Sequence, residues 1–319
     1  MVFHSLFSRV LALATVSSVL ASLPTSTVYQ SPAELPFENI AVRASGQLLL
    51  TSVYSPILYS LDASSGVLTN LVTVGNGSTA LLGISEYQKD VFAVVASQFD
   101  ATTDTEIGGT VQIWSVDLTG SSPAATKVSS LPSTVIGANG LSAIFGSNTI
   151  FVADSGSGTV FSVNMASGAF TSAVQATALE PVGSLLGING LKVSSDGTTL
   201  FYTNSAVGTF GSIPIPPPSR INAGTALNSQ AITVLGDLED GAATSAHLFD
   251  DFALDSKARP CMGPGSSFTE TDDIVGDAAD YNVLVVPTSC AFGRTSSDQQ
   301  TLYVTTDGGA VVAVDTSSV

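Results

Sequence analysis

The run Asn189-Gly-Leu-Lys-Val193 is followed by a turn at Ser195-Asp-Gly197 and by a second apolar run, Thr199-Leu-Phe-Tyr-Thr-Asn204. The same order occurs earlier in the chain, in Asn139-Gly-Leu-Ser-Ala-Ile144 and Thr149-Ile-Phe-Val-Ala-Asp154. Short runs that are rich in β-branched and aromatic residues, and that are separated by turn residues, predict strands rather than helices. The chain is therefore expected to be all-β.

The repeat predicts a propeller. Its copies begin at Glu38, Leu82, Asn139, Asn189, Asp250 and Ala291. These starts are 41 to 61 residues apart, which is close to the roughly 40 to 50 residues of a four-stranded propeller blade. A two-sheet sandwich is the alternative, but it does not predict such a repeat.

The last copy has only three strands, so the segment Ser26-Thr-Val-Tyr29 is expected to supply the fourth and to close the ring. The fold prediction is a six-bladed β-propeller closed by an N-terminal strand. A single domain is expected over residues 22–319.

The charge balance of the chain excludes several classes of function. Acidic residues number 26 against 9 Lys and Arg, which gives a net charge of −17. Such a chain is repelled by phosphate, so we expect no nucleic-acid partner. Small molecules are the expected partners, and the expected state is a monomer or a homodimer.

The N-terminus predicts secretion. An apolar stretch over residues 10–20 follows Arg9 and ends at the small residues Ala21 and Ser22, as in a cleaved signal peptide. We expect residues 1–21 to be this signal and the mature chain to have no membrane span. The compartment is then the secretory pathway, with the protein secreted or in an endomembrane or vacuolar lumen. Asn76 heads the sequon Asn76-Gly-Ser78 and is the expected glycosylation site.

The chain has two cysteines, Cys261 and Cys290. An oxidising compartment favours a disulfide between the only two thiols. The alternative is two buried free thiols that pack as small apolar side chains.

The candidate functional residues stand at the starts of the repeats. The first strand of each propeller blade lines the central channel, so Glu38, Asn139, Asn189 and Asp250 are expected to converge there. Leu82 and Ala291 add apolar surface for a substrate at the equivalent places. Asn39 and Asp251 occupy second positions at which the repeat elsewhere has glycine. Asn39 is expected to bind substrate and Asp251 to act with the catalytic residues.

Two kinds of chemistry suit this set of side chains. Glu38, Asn189 and Asp250 offer hard oxygen ligands of the type that calcium prefers. Alternatively no metal is bound, and a carboxyl group in a partly apolar channel stays protonated and acts as a general acid. A third possibility is that these polar groups only satisfy backbone groups at the strand ends.

Several segments resemble a fungal group of secreted six-bladed propellers. They are Phe37-Glu-Asn-Ile-Ala-Val-Arg43, Gly187-Ile-Asn-Gly-Leu-Lys192, Leu200-Phe-Tyr-Thr-Asn204, Asp250-Asp-Phe-Ala-Leu-Asp255 and Thr301-Leu-Tyr-Val-Thr-Thr-Asp-Gly-Gly309. This group includes the hetero-Diels-Alderases of tropolone-sesquiterpenoid (eupenifeldin-type) biosynthesis and is distantly similar to the SMP-30/gluconolactonase superfamily. The resemblance spans nearly the whole mature chain.

The resemblance implies roles for the residues at the repeat starts. In the lactonase superfamily, the positions that match Glu38, Asn189 and Asp250 bind a divalent metal, and the one that matches Asn139 contacts substrate. Asn39 and Asp251 depart from the glycines usual there, which favours the Diels-Alderase group.

That group implies a pericyclase that joins a tropolone quinone methide to the alkene of a humulene-type sesquiterpene, and therefore polyketide and terpenoid substrates. Asn139, Asn189 and Asp250 would orient and activate the partners, with Glu38 or Asp251 assisting loss of the leaving group. No cofactor is expected for this reaction, although calcium is possible. The alternatives are a metal-dependent lactone hydrolase and a non-catalytic ligand-binding propeller.

Overall fold

The computed structural model describes residues 23–33, 35–103, 105–217, 226–237, 249–255, 260–261 and 286–318. These residues form strands and two short 3-10 turns, at Thr177–Leu179 and Ser229–Ala231. The expectation of an all-β chain is confirmed. Among the described residues, no helix has the length and apolar character needed to cross a bilayer.

Five four-stranded antiparallel sheets make up most of the structure. The N-terminal strand is β1 (Thr25–Gln30). The first sheet has the order β2 (Ile40–Val42), β3 (Leu48–Ser52), β4 (Ser55–Asp62) and β5 (Val67–Thr73). The second contains β6 (Ala80–Gln88), β7 (Val91–Ser97), β10 (Gln112–Asp117) and β11 (Ala124–Ser130), with a small hairpin of β8 (Phe99–Asp100) and β9 (Thr105–Glu106) between its second and third strands.

The remaining sheets follow the same plan. The third consists of β12 (Ala138–Ala143), β13 (Thr149–Asp154), β14 (Thr159–Asn164) and β15 (Phe170–Gln175). The fourth consists of β16 (Ile188–Val193), β17 (Thr199–Asn204), β18 (Thr209–Pro214) and β19 (Thr233–Asp237). A two-stranded ladder then joins β20 (Ala253–Leu254) to β21 (Pro260–Cys261). The last sheet contains β22 (Pro287–Phe292), β23 (Thr301–Thr306), β24 (Ala310–Asp315) and β1.

The prediction of six blades is wrong for the described residues, which contain five four-stranded blades. The copy expected from Asp250 is represented by the β20–β21 ladder, and the rest of that copy lies outside the described residues. The segment Ser26–Tyr29 pairs as an antiparallel strand, because β1 lies along β24 and its Ser26 stands opposite Ala313.

The sheets bury both of their faces, as stacked propeller blades do. Every residue of β13 is buried, whereas the outer strand β5 is half-buried or exposed. Leu141 and Val152 pack in one interlayer core, and Leu191 and Tyr202 pack in the next. β-branched and aromatic side chains fit this environment, which explains why these runs form strands.

The first strands of successive sheets approach closely at glycines. An added Cβ at Gly83 would lie 2.5 Å from the carbonyl oxygen of Asn139, and one at Gly190 would lie 2.7 Å from the Cα of Asp251. The strand register shifts at the same places, between Ala138 and Leu141 in β12 and between Ile188 and Leu191 in β16. A bulge of this kind redirects side chains. The repeated Asn-Gly pairs thus bring the first strands together at one end.

The propeller has two faces that differ in composition. The first strand of each sheet begins at the end that we call the site face, and the turn between its second and third strands lies there too. The other end, with the turns between first and second strands, is the opposite face. Glu38, Asn139, Asn189 and Asp250 all lie at the site face because each stands at or just before the start of a first strand.

Candidate functional site

Asp250 is the centre of the candidate site. The pKa of its carboxyl group is raised well above the ordinary range because the group is desolvated, and the negative charges of Glu38 and Asp251 add to the shift. The side chain of Asn189 donates a hydrogen bond to Asp250, which acts in the opposite direction. Glu38, Asn189 and Asp250 come from three sheets, so the structure brings together three residues that the sequence predicted to converge.

Asn189 is fixed in place by its amide nitrogen. Its Nδ2 donates to the Oγ of Ser205 at 2.9 Å, and Ser205 donates in turn to the carbonyl oxygen of Phe249 at 2.5 Å. This chain of bonds ties β16 to the segment that carries Asp250. Because the amide nitrogen is committed in this way, the orientation of the amide oxygen is fixed as well.

Two amide oxygens at the site face have no hydrogen-bond partner. The Oδ1 atoms of Asn139 and Asn189 are both buried and unpartnered, and the two residues are 8% and 4% exposed. A buried carbonyl oxygen without a partner costs roughly 1 to 3 kcal/mol. A cation or a donor group of a ligand would satisfy both atoms.

Asp251 has a different role from that of its neighbour. Its two oxygens accept hydrogen bonds from Lys192 Nζ at 2.6 and 2.5 Å, from Asn39 Nδ2 at 3.0 Å and from Ser289 Oγ at 3.1 Å. The backbone N–H of Phe252 donates to it at 2.8 Å. Both carboxylate oxygens of Asp251 are therefore engaged in an ion pair and in hydrogen bonds. Neither oxygen is free to assist the loss of a leaving group, which was the role predicted for Asp251.

Asn39 is also part of this network and not of a free substrate surface. Its Oδ1 accepts from the backbone N–H of Ile40 at 3.0 Å and from Ser289 Oγ at 3.3 Å. Lys192 lies with its Nζ 5.6 Å from the centre of the Phe252 ring. The residues at the second positions thus connect the segments of four first strands by side-chain bonds.

The predicted apolar contributors, Leu82 and Ala291, do not both face the site. Ala291 is the fifth residue of β22 and lines a cavity with Lys192 and Cys290, toward the opposite face. The residue of β22 that stands level with Asp250 is Thr288, whose carbonyl accepts from the N–H of Asp251 at 3.1 Å. Leu82 is buried within β6. The sequence pattern missed Thr288 because no Asn-Gly pair marks it.

The cysteines differ from the prediction. Cys261 and Cys290 are both buried, and the expected disulfide between them is not formed in the structure. The Sγ of Cys290 donates instead to the carbonyl oxygen of Cys261 at 3.2 Å. Burial raises the pKa of the Cys290 thiol well above its ordinary value, which keeps the thiol protonated. Asn76 lies exposed in the loop between β5 and β6.

One further acidic residue, which sequence reasoning missed, lies at the site face. Glu106 accepts from the backbone N–H of Ala138, next to Asn139, at 3.3 Å, and its Oε2 is buried without a partner. Burial raises the pKa of Glu106 to about 7, with a smaller contribution from the charge of Asp154. Its neighbours Thr102, Thr103 and Thr105 suggest an ordinary polar loop, so no sequence signal marks it.

The described residues do not form a metal site that is built only from acidic, histidine or cysteine side chains. Within the described ranges, no group of three or more His, Cys, Asp or Glu side chains is placed to hold a metal ion. The candidate set combines two carboxylates, Glu38 and Asp250, with the amide oxygens of Asn139 and Asn189. Hard divalent cations accept such mixed oxygen ligands.

The fold is that of a β-propeller, and solved propeller structures share it. The chain is similar to the major allergen Mala s 1 of Malassezia sympodialis, with a TM-score of 0.67 and 12% identity over 92% of this chain and 96% of that one. It is also similar to a calcium-binding regucalcin of Agrobacterium tumefaciens, with a TM-score of 0.56 and 17% identity over 92% and 95%. A putative gluconolactonase gives a TM-score of 0.56 and 11% identity over 93% of each chain.

At these identities the comparisons show the fold alone. No protein-family model and no curated protein matches the sequence. None of the structures named above supports the expected hetero-Diels-Alder reaction.

Proposed function

We propose that this protein is a hydrolase of cyclic esters that binds a divalent cation, with calcium the best candidate, through Glu38, Asn189 and Asp250. The observation that carries the proposal is that the site face combines carboxyl groups that repel each other with hydrogen-bond acceptors that have no partner. Two carboxyl groups repel each other there, next to two buried amide oxygens without partners. A hard cation resolves both problems at once.

The fold comparisons agree with this choice. Among the structures similar to the chain are a protein described as calcium-binding and one described as a putative gluconolactonase. Asp251, which departs from the glycine of the repeat, does not crowd the site, because its oxygens are bonded to Lys192, Asn39 and Ser289. The departure from glycine at Asp251, which favoured the Diels-Alderase group in the sequence, therefore does not argue against a metal site.

The residues divide the work of ester hydrolysis among them. When bound, calcium supplies positive charge that stabilises the negative charge developing on the ester carbonyl oxygen. The Asn189 amide holds Asp250 in position, and Asn139 offers its side chain to the substrate. With the cation in place, Glu38 and Asp250 would hold it as carboxylates, because its positive charge would offset the repulsion between them. The proton that the attacking water loses would pass to the ring oxygen as the ester bond breaks.

The decisive test is calcium binding measured together with activity. We expect the EDTA-stripped protein to bind calcium with a Kd on the order of 10⁻⁴ M or tighter in isothermal titration calorimetry. Hydrolysis of δ-valerolactone, followed by pH-stat, should require the ion. Asp250→Asn should weaken calcium binding and lower kcat/KM about 100- to 1000-fold, while Asp307→Asn, an exposed carboxylate on the same face, should change neither.

Two results would contradict the proposal. If the stripped protein binds no calcium, Glu38, Asn189 and Asp250 are not a cation site. If EDTA leaves the activity intact, the site works by orientation and hydrogen bonding, as in the pericyclase that the sequence resemblance suggests. Conversion of a tropolone quinone methide and humulene in the presence of EDTA would then replace hydrolysis as the function.

We also propose that residues 1–21 direct the chain to the secretory pathway and that Asn76 carries a glycan. The exposure of Asn76 supports the second part. Mass spectrometry of the protein isolated from its source would check both, through the mature N-terminus and the mass of the peptide containing Asn76.

A further inference from the structure

Large apolar side chains are exposed around the site face. They lie in the connections that end at this face and come from every described four-stranded sheet: Tyr54, Ile107, Ile136, Leu186, Val207 and Val286. Ile136 is 53% exposed and Val286 is 60% exposed. We call these six side chains the apolar rim.

Two of the rim residues lie close in the sequence to the unpartnered amides. Ile136 precedes Asn139 by three residues, and Leu186 precedes Asn189 by the same distance, in Ile136-Gly-Ala-Asn139 and Leu186-Gly-Ile-Asn189. The two copies of the repeat therefore place an apolar side chain above a channel amide in the same way. A ligand whose polar end reaches the amides must pass these apolar side chains.

The rim is held in place by packing. The Tyr54 ring lies edge-on to Phe99, with 5.9 Å between ring centroids. Ile136 packs over Gly108 and Gly156. A Cβ atom added at Gly108 would lie 3.6 Å from the Cγ2 of Ile136, and one added at Gly156 would lie 2.7 Å from its Cγ1. Side chains that are packed on their inner side and exposed on their outer side provide a preformed apolar surface.

The opposite face also exposes large apolar side chains, such as Val67 and Phe145, but its charged groups are arranged differently. Its turns carry charged groups and their ion pairs, namely Arg43 with Asp90 and Arg294 with Glu86. At the site face, the exposed charged residues within the described ranges are acidic, as at Glu180 and Asp307. The rim thus suits an apolar ligand without negative charge, because an anion would meet both these acids and the net charge of −17.

We infer that the apolar rim binds the hydrocarbon part of an uncharged, lipophilic lactone whose ester group reaches the proposed cation site beside Asn139 and Asn189. The inference rests on the proposed function, since it names the substrate class of the same site. A sugar lactone, with hydroxyl groups on every side, would gain little from such a surface. An alkyl chain gains by burial of each methylene group.

A chain-length series tests the substrate class. Full burial of one methylene group is worth about a fourfold change in kcat/KM. For a partly open rim we expect kcat/KM to rise at least about tenfold from δ-valerolactone to δ-decalactone, and glucono-δ-lactone to be the poorest of the three. Equal kcat/KM values for these lactones would overturn the inference and leave the hydrolase proposal standing.

Matched variants locate the effect. Ile136→Ser and Leu186→Ser should each lower the ratio of kcat/KM for δ-decalactone to that for δ-valerolactone by about threefold or more. Phe145→Ser and Val67→Ser remove exposed apolar side chains at the opposite face and should leave the ratio unchanged. A ratio that falls equally in all four variants would refute the placement.

Binding without turnover separates this inference from the proposed function. δ-Decalactone should bind the EDTA-treated protein more tightly than δ-valerolactone does in calorimetry, and Ile136→Ser should remove the difference. If this result holds but no lactone is hydrolysed, the hydrolase proposal fails and the rim inference stands. If the rim variants instead abolish sedimentation with phosphatidylcholine vesicles and leave lactone binding unchanged, the rim docks on a lipid surface and the inference is wrong.

Discussion

Replacing Glu106 with glutamine should remove a pH dependence from the stability of the fold. Burial raises the pKa of Glu106 in the folded protein to about 7, from an ordinary value of 4.5. A carboxyl group with a raised pKa stabilises the fold fully below its unfolded pKa, where it is protonated in both states. That stability is lost as the pH rises from about 4.5 through about 7, because the unfolded chain then gives up the proton more readily.

The expected size follows from the shift. One pKa unit corresponds to about 1.36 kcal/mol, so the rise of Glu106 from 4.5 to about 7 corresponds to about 3 kcal/mol. Glutamine keeps the shape of the side chain, and its oxygen can accept from the N–H of Ala138. The advantage of the wild type over Glu106→Gln in free energy of unfolding should therefore fall by about 3 kcal/mol between about pH 4.5 and about pH 8.

The measurement is urea-induced unfolding of both proteins at a series of pH values. Comparing two proteins cancels other groups with raised pKa, such as Asp250, which are present in both. The control is Glu180→Gln, which makes the same substitution at an exposed glutamate on the same face and measures the effect of the amide itself. If the Glu106→Gln difference is independent of pH, Glu106 is not desolvated in the folded protein and the argument fails.

Two further predictions concern the frame of the site. Lys192→Met should destabilise the protein by roughly 3 to 5 kcal/mol in urea unfolding, because it leaves the carboxylate of Asp251 buried without its cation. Adding Asp251→Asn should recover much of this loss. If the free-energy changes of the two single variants instead add up in the double variant, the two residues do not act as a pair. Deleting residues 23–32 removes β1 and exposes the edge of β24, so we expect a melting temperature lower by several degrees and increased aggregation, whereas an unchanged melting curve would show that β1 does not help to close the propeller.

The strands themselves were predictable from the sequence. The run Thr149–Asp154 and the run Thr199–Asn204 form β13 and β17 with the bounds that their turn residues predict. Both consist of apolar and β-branched residues between glycine-containing turns, and both are buried between two sheets. Local propensity and tertiary packing act in the same direction there, which is why the sequence pattern is reliable.

The partners of the side chains were not predictable in the same way. Lys192 and Asp251 are 59 positions apart in the sequence, and nothing local to either residue identifies the other. The alignment of repeats also placed Ala291 at a blade start, although Thr288 lies there in the structure. A bulge shifts the register of β22 between Pro287 and Ser289, and such a shift depends on contacts with neighbouring strands rather than on local sequence.

The adjacent acids Asp250 and Asp251 show how the fold assigns different roles to like residues. At the second position of three first strands, glycine lets the neighbouring backbones touch, as at Gly83 and Gly190. Asp251 takes that position in its own segment, and its charge is compensated by Lys192. The structural task of joining the strands thus falls to Asp251. Asp250, which has no such cation and is raised in pKa beside Glu38, is left to bind a cation or a proton, and this is the property that the proposed reaction requires.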